Sequence, residues 1–210
     1  MKDENKEYMR ALLHSDYGAM MSYLCGYVGD ESVAGEILCN IFVNIRTCPL
    51  KFSDIRDLRL GLWHLGRCYA LDYLKYGVVV KKHKGEVKAV LSDGVGNFCR
   101  FPFVPTAEDE ELRDFTEPDK DFARRLLEGN LSYEEAEQWM RDERHTALVD
   151  VMASVRSRNF VGKSYGSSVE MEARIDAVSY EIESLHMSLR WVIVAAGILS
   201  VLLLVREVFG

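Results

Sequence analysis

Fifteen uncharged residues, Trp191-Val-Ile-Val-Ala-Ala-Gly-Ile-Leu-Ser-Val-Leu-Leu-Leu-Val205, stand almost at the end of a chain of 210. Val, Ile and Leu fall on every face of this run, whereas an amphipathic helix of a soluble domain would keep one face polar. At 1.5 Å per residue the run spans about 22 Å, and Val208, Phe209 and a snorkelling Arg206 extend it toward the ~30 Å of a hydrocarbon core. The expectation is a membrane helix over 191–208, with a buried C-terminal helix as the competing reading. Lys163, Arg174 and Arg190 precede the run, so the positive-inside tendency places the N-terminal mass in the cytoplasm. The charged opening Met1-Lys-Asp-Glu-Asn-Lys-Glu7 does not have the pattern of a signal peptide.

The five cysteines (Cys25, Cys39, Cys48, Cys68, Cys99) form no Cys-x-x-Cys pair and read as reduced, mostly buried thiols. The histidines are scattered. His64 and Cys68, four apart, make two ligands at most, too few for a metal site. No activated nucleophile or phosphate-cradling glycine loop is present, so neither an enzyme nor a cofactor is expected.

The net charge of −7 conceals a strong polarity along the chain. Residues 1–45 carry 3 Lys/Arg against 7 Asp/Glu, residues 46–88 carry 10 against 4, and residues 89–190 carry 12 against 21. The basic middle segment suits an anionic partner. The acid-rich stretch 107–121 suits a solvated linker or an electrostatic shield for the basic segment.

Apolar periodicity predicts a mainly α chain. Helical patterns cover Glu7–His14, Tyr17–Val28, Glu31–Ile45 and, behind a Ser53-Asp54 cap, a stretch ending at Gly77. Residues 78–103 change to short strand-like runs. Helices resume over Asp119–Glu128, behind a Ser132/Glu135 capping box, and over Arg144–Val155. Met171, Ile175, Val178, Ile182, Leu185 and Leu189 then recur at spacings of 4, 3, 4, 3 and 4, a heptad seam leading into the apolar run. Such a seam can pair two chains as a homodimer, continue the membrane helix inward, or lie on its own domain. The expected divisions are a helical domain at 1–80, a connector at 81–118 that is basic then acidic, a second helical module at 119–165, the heptad helix at 169–190 and the membrane helix at 191–208.

Two parts of the chain resemble known families, one within the first eighty residues and one after residue 120. Gly29-Asp-Glu-Ser-Val-Ala-Gly-Glu-Ile-Leu-Cys-Asn-Ile-Phe-Val-Asn-Ile45 and Leu65-Gly-Arg-Cys-Tyr-Ala-Leu-Asp-Tyr-Leu-Lys75 resemble the two signature helices of region 2 in extracytoplasmic-function (ECF) sigma factors. The resemblance implies docking on core RNA polymerase around Glu36, Cys39 and Asn40. It also implies a hold on the melted minus-ten promoter DNA through Arg46, Lys51, Arg56, Arg59, Trp63, Arg67 and Lys75, where cations meet phosphates and an aromatic ring can stack on a base. Gly35-Glu36 and Cys39-Asn40 depart from that family's Glu-Asp and Gln-Glu pairs, and no region 4 helix-turn-helix follows. Residues 122–140 with Arg144–Asp150 are similar to the cytoplasmic helices of FecR-type anti-sigma factors, in which a membrane helix follows at a comparable distance. That resemblance implies that Leu126, Leu127, Trp139 and Leu148 cover the first module. The combined expectation is a membrane-tethered sigma-like module held in check by a fused anti-sigma module, released by a membrane signalling protein or by proteolysis. The competing expectation is a non-DNA-binding anti-sigma or scaffold protein that sequesters a separate sigma factor at the membrane.

Overall fold

The computed structural model describes residues 3–47, 54–77 and 115–209, with side chains over 6–47, 54–77 and 115–198. The strand-like stretch 78–103, most of the connector and the acid-rich run up to residue 114 lie outside the described residues, as do Cys48, Lys51, His83 and Cys99. What is described is mainly helical, as the periodicity predicts, and contains no strand.

Three helices form the first bundle: α1 (Asp3–Val28), α2 (Glu31–Thr47) and α3 (Ile55–Tyr76). The patterns over Glu7–His14 and Tyr17–Val28 belong to one uninterrupted helix, because Ser15 and Asp16 satisfy their polar groups without breaking it. Ser15 Oγ bonds to Asp16 Oδ1 at 2.8 Å, and Asp16 pairs with Arg59. Gly29 ends α1, and Asp30 Oδ1 accepts from Val33 N at 2.9 Å to open α2 at the expected position. On α2 buried residues cover most of the circumference, from Ala34 and Gly35 to Phe42 and Ile45. Such a helix needs neighbours on several sides, and it has α1, α3 and α7. Asp54 caps α3 by accepting from Asp57 N at 2.9 Å. Gly77 ends α3 at φ 65°, a left-handed conformation that favours glycine.

The second group contains α4 (Glu117–Leu127), α5 (Tyr133–Trp139), α6 (Glu143–Ser157) and a 3₁₀ turn at Arg158–Phe160. Reciprocal capping boxes, Thr116 with Asp119 and Ser132 with Glu135, start α4 and α5. The second of these was predicted; the first shifts the start of α4 two residues upstream, to Glu117. α6 lies along α1, and α5 lies against α3. The buried side chains of both groups make one continuous core, so the divisions drawn from sequence at 1–80 and 119–165 share an interior.

α7 (Ser168–Phe209) is one helix of 42 residues, about 63 Å long at 1.5 Å per residue. Its first part packs on α2 and α1. Met171 and Ile175 are buried, Val178 and Ile182 are partly buried, and every described side chain from Glu183 to Ile198 is exposed. The heptad seam therefore divides: its first four positions lie on the chain's own bundle, while Leu185 and Leu189 are 68% and 57% exposed. The buried face also departs from a strict heptad, since Ser179 is fully buried and Val178 only partly so, as expected of a straight helix of 3.6-residue period on a bundle. Among the described residues no helix is long and apolar enough to cross a membrane; the side chains of 199–210 lie outside that set.

Candidate functional site

The densest polar chemistry lies where α6 meets α1 and α3. Asp150, in the middle of the apolar sequence Leu148-Val-Asp-Val-Met-Ala153, is 1% exposed. Arg67 on α3 donates to its Oδ2 from Nε at 2.9 Å and from Nη2 at 2.6 Å. The Tyr27 hydroxyl on α1 donates to its Oδ1 at 2.8 Å and lies 3.1 Å from the Tyr23 hydroxyl. Burial pushes the Asp150 carboxyl up, against the opposing pull of Arg67 and the Tyr27 hydroxyl. Burial likewise pushes both tyrosine hydroxyls up, so they stay protonated and able to donate. Both carboxylate oxygens are satisfied, which an ion removed from water requires.

Trp63 completes the cluster's apolar wall. It is buried and meets Tyr23 edge to face at 5.1 Å, and Tyr69 is buried with its hydroxyl accepting from Asn44 at 3.0 Å. Trp63, expected to stack on a base, is thus a core residue. Its spacing from Leu62 and Leu65 suits a buried face as well as an exposed stack, so the sequence could not separate the two.

The cations assigned to DNA divide in the same way. Arg67 is held by Asp150. Arg59 grips Asp16 through Nε–Oδ2 at 2.5 Å and Nη2–Oδ1 at 2.8 Å, and Arg46 pairs with Asp176 of α7. Arg56 is exposed, Lys75 is half-buried, and Lys51 lies outside the described residues. Three of these six cations are therefore turned to carboxylates of the chain itself, two of those carboxylates on α6 and α7.

Of the residues assigned to polymerase, Glu36 is exposed, Asn40 half-buried and Cys39 buried. Cys39 lies on the α2 face that α7 covers. One turn earlier, a Cβ added to Gly35 would stand 3.7 Å from the Met171 Cε of α7. Burial pushes the Cys39 thiol up, and Arg174 of α7 pulls it down.

Leu126, Leu127 and Leu148 are buried in the shared core. Trp139 is placed differently. It is stacked between Phe122, 4.7 Å away at 25°, and His145, 4.2 Å away at 5°, and it lines an outer cleft formed by residues of its own module. The close crossing is made instead by Gly26. A Cβ there would fall on the Ala153 carbonyl oxygen and stand 2.8 Å from Ser157 Cβ. Gly77 has a similar role against α5, where a Cβ would overlap the Tyr133 ring. Arg156 anchors α6 by donating to the Leu127 carbonyl.

The sequence reading missed Asp150, Tyr27 and Gly26. A carboxylate flanked on both sides by core residues of one helix was the available signal for Asp150, since an unpaired charge there would be prohibitive. The His64–Cys68 pair does meet, with Nε2 3.3 Å from Sγ, but among the described residues no cluster of three or more His, Cys, Asp or Glu could hold a metal ion. Comparison with protein-family models, with curated proteins and with solved structures finds no match.

Proposed function

We propose that the chain is a membrane-tethered regulator of bacterial transcription initiation. In this reading the α1–α3 bundle is an ECF sigma region 2-like module, and α4–α6 are a fused anti-sigma-like module that holds it closed. The observation that carries the reading is the Arg67–Asp150 pair, in which a cation of the first module donates through two nitrogens to one oxygen of a buried carboxylate of the second. A promoter phosphate would have to displace that carboxylate. The Arg46–Asp176 pair and the cover over Cys39 extend the same closure to α7. The exposed apolar side chains from Trp191 to Ile198 support a membrane anchor over 191–208, and the cations Lys163, Arg174 and Arg190 before it support an orientation with the bundle in the cytoplasm.

The test uses the full chain in detergent micelles, as wild type and as Asp150→Ala. Core RNA polymerase capture and fluorescence anisotropy of a single-stranded minus-ten oligonucleotide are the readouts. Closure by α6 requires that Asp150→Ala bind the oligonucleotide at least about tenfold more tightly than wild type, and that adding Arg67→Glu abolish the gain. Equal, negligible binding by all three would overturn it.

The burial of Trp63 favours a second reading, in which the bundle is a non-DNA-binding anti-sigma or scaffold module that sequesters a separate sigma factor at the membrane. That reading requires capture of such a partner by the wild-type chain with no oligonucleotide binding in either variant.

A further inference from the structure

α6 and α7 are fastened to the bundle in different ways. α6 is seated by a fully bonded buried carboxylate and by backbone contact at Gly26, leaving nothing in its centre unsatisfied. α7 is seated by a short apolar stripe that carries a polar defect toward its C-terminal end. Ser179 is fully buried, and its Oγ finds no hydrogen-bond partner among the described residues. The Arg46 Nε is also buried without a partner among them, although another nitrogen of that guanidinium reaches Asp176 of α7. A cleft of about 320 Å³ opens alongside, lined among others by Met9, Phe42, Arg46 and Ile175, so α7 does not fill the groove between α1 and α2. Further attachments among the described residues are surface pairs: Glu172 with Arg10 at 2.6 Å and His14 at 3.2 Å, and His14 with Ser168 at 2.9 Å. Exposed pairs of this kind contribute little, whereas a buried hydroxyl left without a partner counts against the seam.

We infer that α7 is a releasable strap: its segment Ser168–Ile182 undocks from α1 and α2 while α4–α6 remain seated. Undocking hydrates the Ser179 hydroxyl and frees the Arg46 guanidinium, which lowers the cost of opening at this seam alone. It also bares the α2 face around Gly35 and Cys39. Because α7 is continuous with the exposed apolar segment beyond Glu183, a force or reorientation applied there is transmitted to the strap without an intervening hinge. The release follows from packing alone and stands whether or not the bundle binds polymerase.

Two buried thiols report on the two seams. Cys39 lies under α7, whereas Cys25 lies on α1 facing Tyr165 and the segment that follows α6, where burial pushes its thiol up to about 11. The full chain in micelles is pulsed with N-ethylmaleimide under native conditions, and each site is quantified by peptide mass spectrometry against a denatured control. Cys39 is expected to label at least about tenfold faster than Cys25, because local opening costs less than global unfolding. Ser179→Ala removes the defect and should slow Cys39 about tenfold while leaving Cys25 unchanged. The pair Glu172→Gln and Asp176→Asn should speed Cys39 about threefold, again without effect on Cys25. Equal rates at the two thiols, or parallel changes in both, would show one cooperative unit and overturn the strap. So would a Cys39 rate indifferent to Ser179→Ala.

Discussion

Asp150 and Arg67 lie 83 residues apart in sequence, yet the guanidinium reaches one carboxylate oxygen with two nitrogens, at 2.9 and 2.6 Å, inside the seam between α6 and α3. The carboxylate is 1% exposed and the Arg67 side chain 27%, so the cation can still be approached from solvent at its edge. Removing the carboxylate leaves a largely buried charge and a tyrosine hydroxyl without their acceptor.

Asp150→Ala should therefore lower the stability of the chain by about 3 kcal/mol, the usual scale for breaking a buried pair from one side. Tyr27→Phe, which removes one neutral donor to the same carboxylate, should cost about 1 kcal/mol. Urea titration followed by circular dichroism measures both. A loss under 1 kcal/mol for Asp150→Ala would mean that water replaces the carboxylate and that the seam is not dry.

Glycine substitutions separate a crossing from mere helix geometry. Gly26→Ala places a methyl against the Ala153 carbonyl and Ser157, which the two helices can accommodate only by moving apart, at about 2 kcal/mol. Gly18, on the same helix, has nothing within 4 Å of an added Cβ. Gly18→Ala should raise stability by about 0.5–1 kcal/mol through helix propensity. Opposite signs in thermal melts are the expected result; two stabilised variants would remove the Gly26 crossing.

How much of this was legible in the sequence follows from what each residue's neighbours supply. The helices were readable because their ends carry local chemistry: Asp54, Ser132 with Glu135, and Gly77 stop or start a helix through bonds within a few residues. The first half of the seam on α7 was readable as an apolar stripe, but its partner was not. The same Met171 and Ile175 that could have faced a second chain lie on α2, because α2 has an apolar circumference too wide for α1 and α3 to cover. The cations were readable as charge but not as pairs. Whether Arg67 meets a phosphate or Asp150 depends on which helix lies across it, and that is decided by the packing of small residues such as Gly26 and Ala153. Trp139 matched a motif and was assigned to the covering surface, whereas stacking with Phe122 and His145 holds it inside its own module.

The position of Trp139 changes what its removal should do. Trp139→Ala deletes both stacking contacts, each worth about 1 kcal/mol beyond burial, and frees α5 at its C-terminal end. The loss should be local. Hydrogen exchange should quicken over α4 and α5 and remain slow over α2, where Trp139 makes no stacking contact. Equal acceleration in α2 would show that α5 supports the first bundle directly.

Acid should act first on the second module. Asp119 is held below its ordinary carboxylate range by the Thr116 hydroxyl and backbone, and Glu135 by the Ser132 backbone N–H and hydroxyl. A carboxyl lowered in the folded state contributes stability that is fully present above its unfolded value and is lost as pH falls through the folded value. From ordinary values of 3.8 for Asp119 and 4.5 for Glu135, the loss begins near those pH values and completes below them. Both groups sit on the surface at helix starts, so protonation uncaps α4 and α5 without disturbing the core. Asp150 has the opposite tendency, since burial raises its carboxyl and favours the neutral form. Its protonation weakens the grip on Arg67. Circular dichroism and hydrogen exchange between pH 6 and pH 3 should show fraying of α4 and α5 ahead of α1–α3. Thr116→Val with Ser132→Ala, which removes the hydroxyl partners, should flatten that dependence; an unchanged acid profile in this variant would mean that the capping boxes do not set it.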